Sequence, residues 1–287
     1  MNTVAIVGVG LIGGSFALAL RKSGFAGRIL GVSSAQTIEK ALRRGVIDEG
    51  LLLEQAVPQA DLIYLAQPIG RILDVLPRIA ELAKPLCLVT DAGSTKEVIV
   101  SRAGNLFRDN RAVFLGGHPM AGKAERGVEA AEADLFQGAT YVLTPANGEL
   151  PTGNAVDEFY IWLEKLGARL VVMDPQEHDR LVAFTSHLPQ LASTALASLL
   201  LQEMNSPDSW KVAGAGLRDM TRLARSAYDL WRDICMTNTC NIEQALSWYI
   251  QKLEHLRENL RDRPLEEEFK RGDLFANELQ KKDENVT

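Results

Sequence analysis

The stretch TVAIVGVGLIGGSFA, residues 3–17, carries a short apolar run directly into closely spaced glycines. Three of them have the GxGxxG spacing of the turn between a β-strand and an α-helix in a dinucleotide-binding βαβ unit. The first permits the tight turn, the second leaves room for a pyrophosphate, and the third lets helix and strand pack closely. The helix amino terminus would face the phosphates. The residues predicted to bind a dinucleotide here are Gly8, Gly10, Leu11, Ile12 and Gly13.

The same alternation of strand and helix continues for about the first 170 residues. Most of the apolar runs have no polar face, which is typical of strands buried in a parallel sheet. The predicted strands are 3–7, 28–32, 62–66, 86–90, 113–116, 141–144 and 169–172, and the intervening helices include 15–23, 37–44, 69–83 and 154–166. We therefore predict a Rossmann-type, doubly wound α/β domain over residues 1–173.

The pattern changes after residue 173, and residues 174–287 are predicted to form an all-α domain. Residues 176–204 are a long apolar helical stretch, predicted to be interrupted at Pro189, and residues 242–260 have a second long amphipathic face. These helices are more apolar than solvent-facing helices should be, so we predict a homodimer that pairs through them. The alternative is that they pack only on each other and on the first domain. The charged tail from Arg261 is predicted to be a solvated helix with a frayed end.

Composition narrows the function classes. The formal net charge is -6 and the basic residues are dispersed, so there is no electrostatic signature of nucleic-acid binding. Cys87, Cys235 and Cys240 lack the spacing of a zinc site or a disulfide framework, so we expect no metal and a reducing compartment. Glycines interrupt the apolar start, and no other run is long enough to cross a bilayer. We expect a cytoplasmic protein with no membrane partner.

The second predicted strand bears on the choice of dinucleotide. NAD-dependent enzymes usually carry Asp or Glu where this strand ends, and here Ser33 stands in that place. Without a carboxylate to repel a 2′-phosphate, and with Ser33 and Ser34 able to donate hydrogen bonds, NADP is favoured. No arginine accompanies them, so NAD stays open. Alternatively, the two serines only begin the turn and cap the next helix.

Three further segments follow predicted strands, where doubly wound sheets bind ligands. They are LAQPIG (65–70), TDAGSTKE (90–97) and GGHPMAG (116–122), and the helical part adds HDRLVAFTSHLPQ (178–190) and GLRDMTRLARSAYDLWRDI (216–234). Together they closely resemble the prephenate and arogenate dehydrogenases of tyrosine biosynthesis. The resemblance covers nearly the whole chain, to about Leu260. GxGxxG occurs in many families, but the ordered set DxGSxK, GGHPMAG, SHLP and RDxTRxA…WRDI is far more specific.

The resemblance implies NAD(P)-dependent oxidative decarboxylation of a small molecule, prephenate or arogenate, which becomes aromatic. A neutral imidazole, with a usual pKa of about 6.5, is suited to accept the proton of the substrate's hydroxyl. The resemblance gives this role to His118, with Ser94 sharing the hydrogen bond to the hydroxyl. The rival interpretation of His118 is a turn residue bonded to backbone. Arg222 matches the arginine that holds a substrate carboxylate. Gln67, Pro68 and Asp91, beside predicted strand ends, are expected to complete the cofactor site.

Four more residues match positions around the substrate. Lys96 either assists electrostatically or only anchors Asp91. Asp179 and His187 are expected to shape the cleft, although His187 could be a buried histidine bonded within a kinked helix. Many prephenate-using members read SHLPH, and Gln190 stands where that last histidine would be, which leaves the choice between prephenate and arogenate open.

Two other classes remain as alternatives. One is a β-hydroxyacid dehydrogenase or imine reductase, which also joins a Rossmann domain to a helical dimerisation domain but lacks GGHPMAG. The other is a non-catalytic NAD(P)-binding sensor, which would not need His118, Ser94 and Arg222 together.

Overall fold

A computed structural model describes residues 1–108, 112–123, 125–204, 206, 208–261 and 264–284. Within these residues one eight-stranded sheet has the order β3-β2-β1-β4-β5-β6-β7-β8. Its strands are β1 (Thr3–Val7), β2 (Arg28–Val32), β3 (Glu49–Gly50), β4 (Leu62–Leu65), β5 (Leu88–Asp91), β6 (Val113–Pro119), β7 (Thr140–Thr144) and β8 (Arg169–Val172). The crossover from β3 back past β1 to β4 makes the sheet doubly wound, which confirms the predicted fold class.

Helices cover both faces of the sheet. They are α1 (Leu11–Lys22), α2 (Ala35–Arg43), α3 (Leu53–Ala56), α4 (Ile69–Leu82), α5 (Glu97–Phe107) and α6 (Asn154–Lys165). Along β1, Val4 and Ile6 pack in one core with α1 and α6, whereas Ala5 and Val7 pack in the other with α4 and α5. A strand buried on both faces needs apolar side chains at every position, which explains its unbroken apolar sequence.

One pairing differs from the predicted parallel sheet. β7 runs antiparallel to β6, although every other neighbouring pair is parallel among the described residues. An antiparallel partner needs no crossover helix, and none of the described residues between β6 and β7 forms an α-helix. The pairing extends β6 beyond its predicted end, because His118 pairs with Val142 and Pro119 with Tyr141. His118 therefore lies on a strand.

The remainder of the described chain is helical, as predicted. Its helices are α7 (Pro175–Val182), α8 (Leu188–Glu203), α9 (Ala215–Thr221), α10 (Tyr228–Thr237), α11 (Thr239–Glu258) and α12 (Pro264–Glu284). The predicted interruption near Pro189 is a change of helix type and not a break. One turn of π-helix, Ala183–His187, joins α7 to α8 and ends two residues before the proline. Because Pro189 lacks the N–H of a regular α-helix, the ladder of α-helical hydrogen bonds could not continue unchanged through this position.

The helical part leaves many large apolar side chains in contact with solvent. Exposed residues on α8 to α12 and their connections are Leu199, Leu201, Trp210, Val212, Met220, Tyr228, Leu230, Met236, Trp248, Ile250, Leu253, Leu260, Phe269, Leu274, Phe275 and Leu279. So much exposed apolar area is unusual on a monomer. No helix in the described ranges is both long and apolar enough to cross a membrane.

Candidate active site

The GxGxxG turn has the geometry that its spacing predicts. Gly8 adopts a left-handed φ of +98°, and a Cβ there would lie 2.6 Å from the carbonyl oxygen of Ala66. A Cβ on Gly13 would lie 2.1 Å from the carbonyl oxygen of Gly8, so helix and strand could not pack as they do. A Cβ on Gly10 would meet nothing within 4 Å, and α1 begins at Leu11, followed by Ile12, without a side-chain cap. Open space and uncapped N–H groups fit a pyrophosphate.

The neighbouring strand ends hold the other predicted cofactor residues. Pro68 immediately precedes α4, and the buried Oε1 of Gln67 has no hydrogen-bond partner among the described residues. Ser34 caps α2: its Oγ accepts from the backbone N–H of Thr37 at 3.4 Å. Ser33 is exposed. The capping interpretation therefore describes Ser34, while Ser33 stays accessible.

Asp91 and Lys96 form a completely buried ion pair. Asp91 Oδ2 accepts from Lys96 Nζ and from the N–H of Gly93, at 2.8 Å for the latter, and Oδ1 accepts from the N–H of Gly117 at 3.2 Å. Lys96 Nζ also donates to the carbonyl oxygen of Gly117 at 2.8 Å. Burial lowers the pKa of Lys96, and the charges of Asp91 and Asp179 oppose that shift. These contacts are those of the anchoring role, in which Lys96 ties β5 to β6.

His118 takes part in a chain of three buried side chains. Its Nδ1 lies 2.8 Å from Nε2 of His178, and Nδ1 of His178 lies 2.7 Å from Oδ1 of Asp179. Burial lowers the pKa of His118 well below its usual range, and the positive charge of nearby Lys96 lowers it further. The imidazole is therefore neutral near pH 7. Its Nδ1 partner is another imidazole and not backbone.

Asp179 also connects the helical part to the amino end of α5. Its Oδ1 accepts from the backbone N–H of Lys96 at 2.7 Å, and Oδ2 accepts from that of Glu97 at 3.0 Å. Asp233 does the same at α4, where Oδ2 accepts from the N–H of Gly70 at 3.0 Å. A carboxylate is favoured at a helix amino terminus because it accepts hydrogen bonds from the free N–H groups and is attracted by the positive end of the helix dipole. The two contacts fix the helical part against the carboxyl edge of the sheet.

His187 lies on the π-helical turn and is almost completely buried. Asn238 Nδ2 lies 3.2 Å from Nδ1 of His187 and donates to the carbonyl oxygen of Asp179 at 2.8 Å. The Trp231 ring meets the imidazole edge-on, with centroids 5.8 Å apart. Burial lowers the pKa of His187 to about 4. These contacts match the interpretation of His187 as a buried histidine, and Trp231 packs against its ring.

Gln190 uses its side-chain amide to hold the turn that carries Arg222. Nε2 donates to the carbonyl oxygen of Leu223 at 2.8 Å, and Oε1 accepts from Ser226 Oγ at 3.0 Å. Arg222 begins this 3-10 turn, is exposed, and forms no ion pair with any described residue. Half-buried Ser94 lies in the β5–α5 connection. The structure thus connects His118 to Asp179 through His178, joins Asp179 to Lys96 and Lys96 to Asp91 by direct contacts, and links Gln190 to the turn of Arg222.

The sequence of each part matches a family model. Residues 16–172 match the prephenate dehydrogenase nucleotide-binding domain, and residues 174–272 match the prephenate dehydrogenase dimerization domain. The chain belongs to the prephenate dehydrogenase family. This confirms the membership predicted from the motifs and goes against the β-hydroxyacid dehydrogenase and imine reductase alternatives.

Individual relatives agree with membership of the prephenate dehydrogenase family. The prephenate dehydrogenase of Lactococcus lactis subsp. cremoris is 38% identical over 240 residues, which are 83% of this chain and 65% of that relative's length. A crystal structure of A. aeolicus prephenate dehydrogenase with hydroxyphenyl propionate and NAD+ has a TM-score of 0.82 at 31% identity, covering 100% of this chain and 99% of that one. For Synechocystis arogenate dehydrogenase the TM-score is 0.80 at 31% identity, with 96% and 99% covered.

Sequence reasoning missed two side chains of this site, His178 and Asn238. A signal for His178 was present, because α7 places Pro175, His178, Asp179 and Val182 at helical spacing on one buried face. Reading that face as buried would have put an imidazole and a carboxylate side by side in the interior. Asn238 lies between α10 and α11, and no pattern in the sequence marks its contacts.

Proposed function

We propose that the chain catalyses the oxidative decarboxylation of prephenate to 4-hydroxyphenylpyruvate with NAD or NADP as hydride acceptor. Arogenate, which would give tyrosine, is the alternative or second substrate. The observation that carries the proposal is the His118 imidazole. It is buried at the carboxyl edge of the sheet, Nδ1 is held by His178, and Nε2 makes no hydrogen bond within the described part of the chain. A neutral imidazole with a free nitrogen can act as a general base.

The proposed cofactor site follows the strand ends of the sheet. Gly8, Gly10 and the start of α1 would hold the pyrophosphate, and the unpaired Oε1 of Gln67 could accept a hydrogen bond from the cofactor. NADP is favoured over NAD, because exposed Ser33 replaces the carboxylate that would repel a 2′-phosphate. Ser34 contributes less, because its hydroxyl already caps α2.

A nicotinamide dinucleotide, when bound, would supply the acceptor for the hydride of the substrate carbon that bears the hydroxyl. His118 Nε2 accepts that hydroxyl's hydrogen bond, shared with Ser94, and holds the proton as the carbon–oxygen double bond forms. The ring carboxylate then leaves as CO2, and its bonding electrons make the ring aromatic. His118 returns the proton to the oxygen, which becomes a phenol hydroxyl. His118 therefore ends the cycle neutral, without net proton uptake.

Prephenate carries two carboxylates, so its site needs a cation, and Arg222 is the proposed partner of one of them. Exposure without an ion pair in the described residues leaves the guanidinium available. Lys96 is already paired with Asp91, and Gln190 contributes by holding the turn that carries Arg222. Asp179 fixes the helical side of the cleft to the start of α5, and His187 supports that side from the interior, where it packs against Trp231.

Arg222→Ala is expected to raise the substrate KM by roughly 30-fold or more, which corresponds to about 2 kcal/mol for a lost charged partner. The cofactor KM should change little. Steady-state kinetics with prephenate measures both. Arg225→Ala removes a second exposed arginine of the same turn and should raise KM far less. Equal effects in the two variants would remove Arg222 from the carboxylate site.

The proposed assembly is a cytoplasmic homodimer. Residues 1–173 would bind the cofactor, and residues 174–287 would complete the substrate site and pair with a second copy. The match to a dimerization domain and the exposed apolar side chains of α8 to α12 support the pairing. The free thiols of Cys87, Cys235 and Cys240 suit a reducing compartment.

The proposal is tested by absorbance at 340 nm, pairing prephenate or arogenate with NAD or NADP and comparing kcat/KM in the four combinations. Activity with prephenate supports the reaction, and the dominant combination identifies substrate and cofactor. No turnover in any combination, from a folded dimer that binds a nicotinamide dinucleotide, would contradict it and favour the NAD(P)-binding sensor.

A further inference from the structure

The contacts of Asp179 determine which nitrogen of His178 carries a proton. Oδ1 of Asp179 lies 2.7 Å from Nδ1 of His178, and both carboxylate oxygens already accept backbone N–H groups from the start of α5. An ionised carboxylate can only accept, so Nδ1 of His178 must be the donor. In a neutral imidazole the other nitrogen is then an acceptor. His178 therefore presents the lone pair of Nε2 to its next neighbour.

That neighbour is His118, and its tautomer follows in the same way. Nδ1 of His118 lies 2.8 Å from Nε2 of His178. Because Nε2 of His178 is an acceptor, Nδ1 of His118 must carry the proton, and Nε2 of His118 is left with a lone pair. His178 and Asp179 are both excluded from solvent, so water cannot readily replace either contact.

We propose that His178, backed by Asp179, is a positioning residue that holds His118 in the neutral tautomer with a free Nε2. The inference rests on the proposed function, in which that nitrogen accepts the substrate's hydroxyl proton. In the other tautomer Nε2 would carry a hydrogen and could not take a second one. His178 does not touch the reacting atoms in this proposal; it acts through His118.

The same chain serves the protonated state of His118. When Nε2 holds the substrate's proton, Nδ1 still donates to His178, and the carboxylate of Asp179 lies behind that imidazole. The positive charge is therefore stabilised inside the protein without moving a second proton. Lys96 and His187 also face this region, and their charge state affects how strongly His118 holds the proton. Moderate stabilisation suits a group that must return the proton when CO2 leaves.

The tautomer can be observed directly in the full-length protein. The chain has four histidines, so 15N-histidine labelling and two-bond 1H–15N correlation spectra near pH 7 give a small set of ring signals. His255→Gln removes the half-buried histidine of α11 and assigns its signals. We expect a protonated Nδ1 and an unprotonated Nε2 for both His118 and His178. A protonated Nε2 on His118 would overturn the proposal, whatever the activity of the enzyme.

Two substitutions of equal length separate the hydrogen bond from packing. Gln at position 178 keeps a hydrogen-bond acceptor for Nδ1 of His118. Met fills a similar volume, but its thioether sulfur is only a weak acceptor. We expect His178→Met to lower kcat by about 10- to 100-fold with little change in substrate KM, and to give mixed His118 tautomers. His178→Gln should retain most of kcat and the single tautomer.

A packing role predicts the opposite order, because a buried Gln costs more than a buried Met when no hydrogen bond is at stake. Equal loss in both variants, or better activity for Met, would overturn the positioning role. The spectra keep this test separate from the proposed function. A protein inactive on prephenate and arogenate, but with the expected tautomers, would reject the reaction and leave the arrangement of His178 and His118 intact.

Discussion

His118→Asn is expected to lower kcat by roughly 10²-fold or more, with little change in the affinity for NAD(P). Asn places an amide close to Nδ1 of the imidazole and can still donate to Nε2 of His178, so the buried contact at 2.8 Å keeps a donor. Only the ring nitrogen that takes the hydroxyl proton is lost. Steady-state kcat with the preferred substrate, together with cofactor titration by fluorescence, measures the two quantities.

The matched control is His255→Asn, which removes a half-buried histidine from α11, far along the chain from the site residues, and should leave kcat unchanged. Thermal unfolding of both variants shows whether the sheet edge stays intact, since His118 is part of β6. A His118→Asn enzyme with near-normal kcat would remove His118 from the chemistry. The substrate's hydroxyl proton would then need another acceptor.

The parts of the fold that could be predicted are those determined by local sterics. A Cβ on Gly8 or Gly13 would meet backbone atoms at 2.6 or 2.1 Å, so the glycine spacing alone indicates the turn. A strand covered on both faces must be apolar throughout, so β1 could be recognised from its composition. Such constraints act within a few residues of the chain.

The direction of β7 could not be predicted in the same way. The sequence of a strand is compatible with either direction, and the choice depends on how the chain returns to the sheet. The connection from β6 contains no α-helix among its described residues, so β7 enters antiparallel and extends β6 through His118. The motif that marked His118 carried no information on that partner strand.

The contacts of the site were harder to predict than its residues. Motifs brought out Asp91, Lys96, Gln190 and Arg222, but the amide of Gln190 bonds the carbonyl oxygen of Leu223, a backbone group that no side-chain pattern can reveal. Lys96 was open to two interpretations, because a sequence does not show which charges are buried together. Its complete burial beside Asp91 leads to a measurable difference between them.

Lys96→Met is expected to lower the free energy of unfolding by about 3–5 kcal/mol, because Asp91 would keep its charge in the interior without its ammonium partner. Adding Asp91→Asn should recover much of this loss, since the double variant buries no unpaired charge. Urea unfolding at a fixed chain concentration measures all three proteins. Lys84→Met is the control: its partially exposed pair with Asp61, at 2.6 Å, should contribute less than about 1 kcal/mol. A Lys96→Met protein of normal stability with a greatly raised substrate KM would contradict anchoring and give Lys96 the electrostatic role.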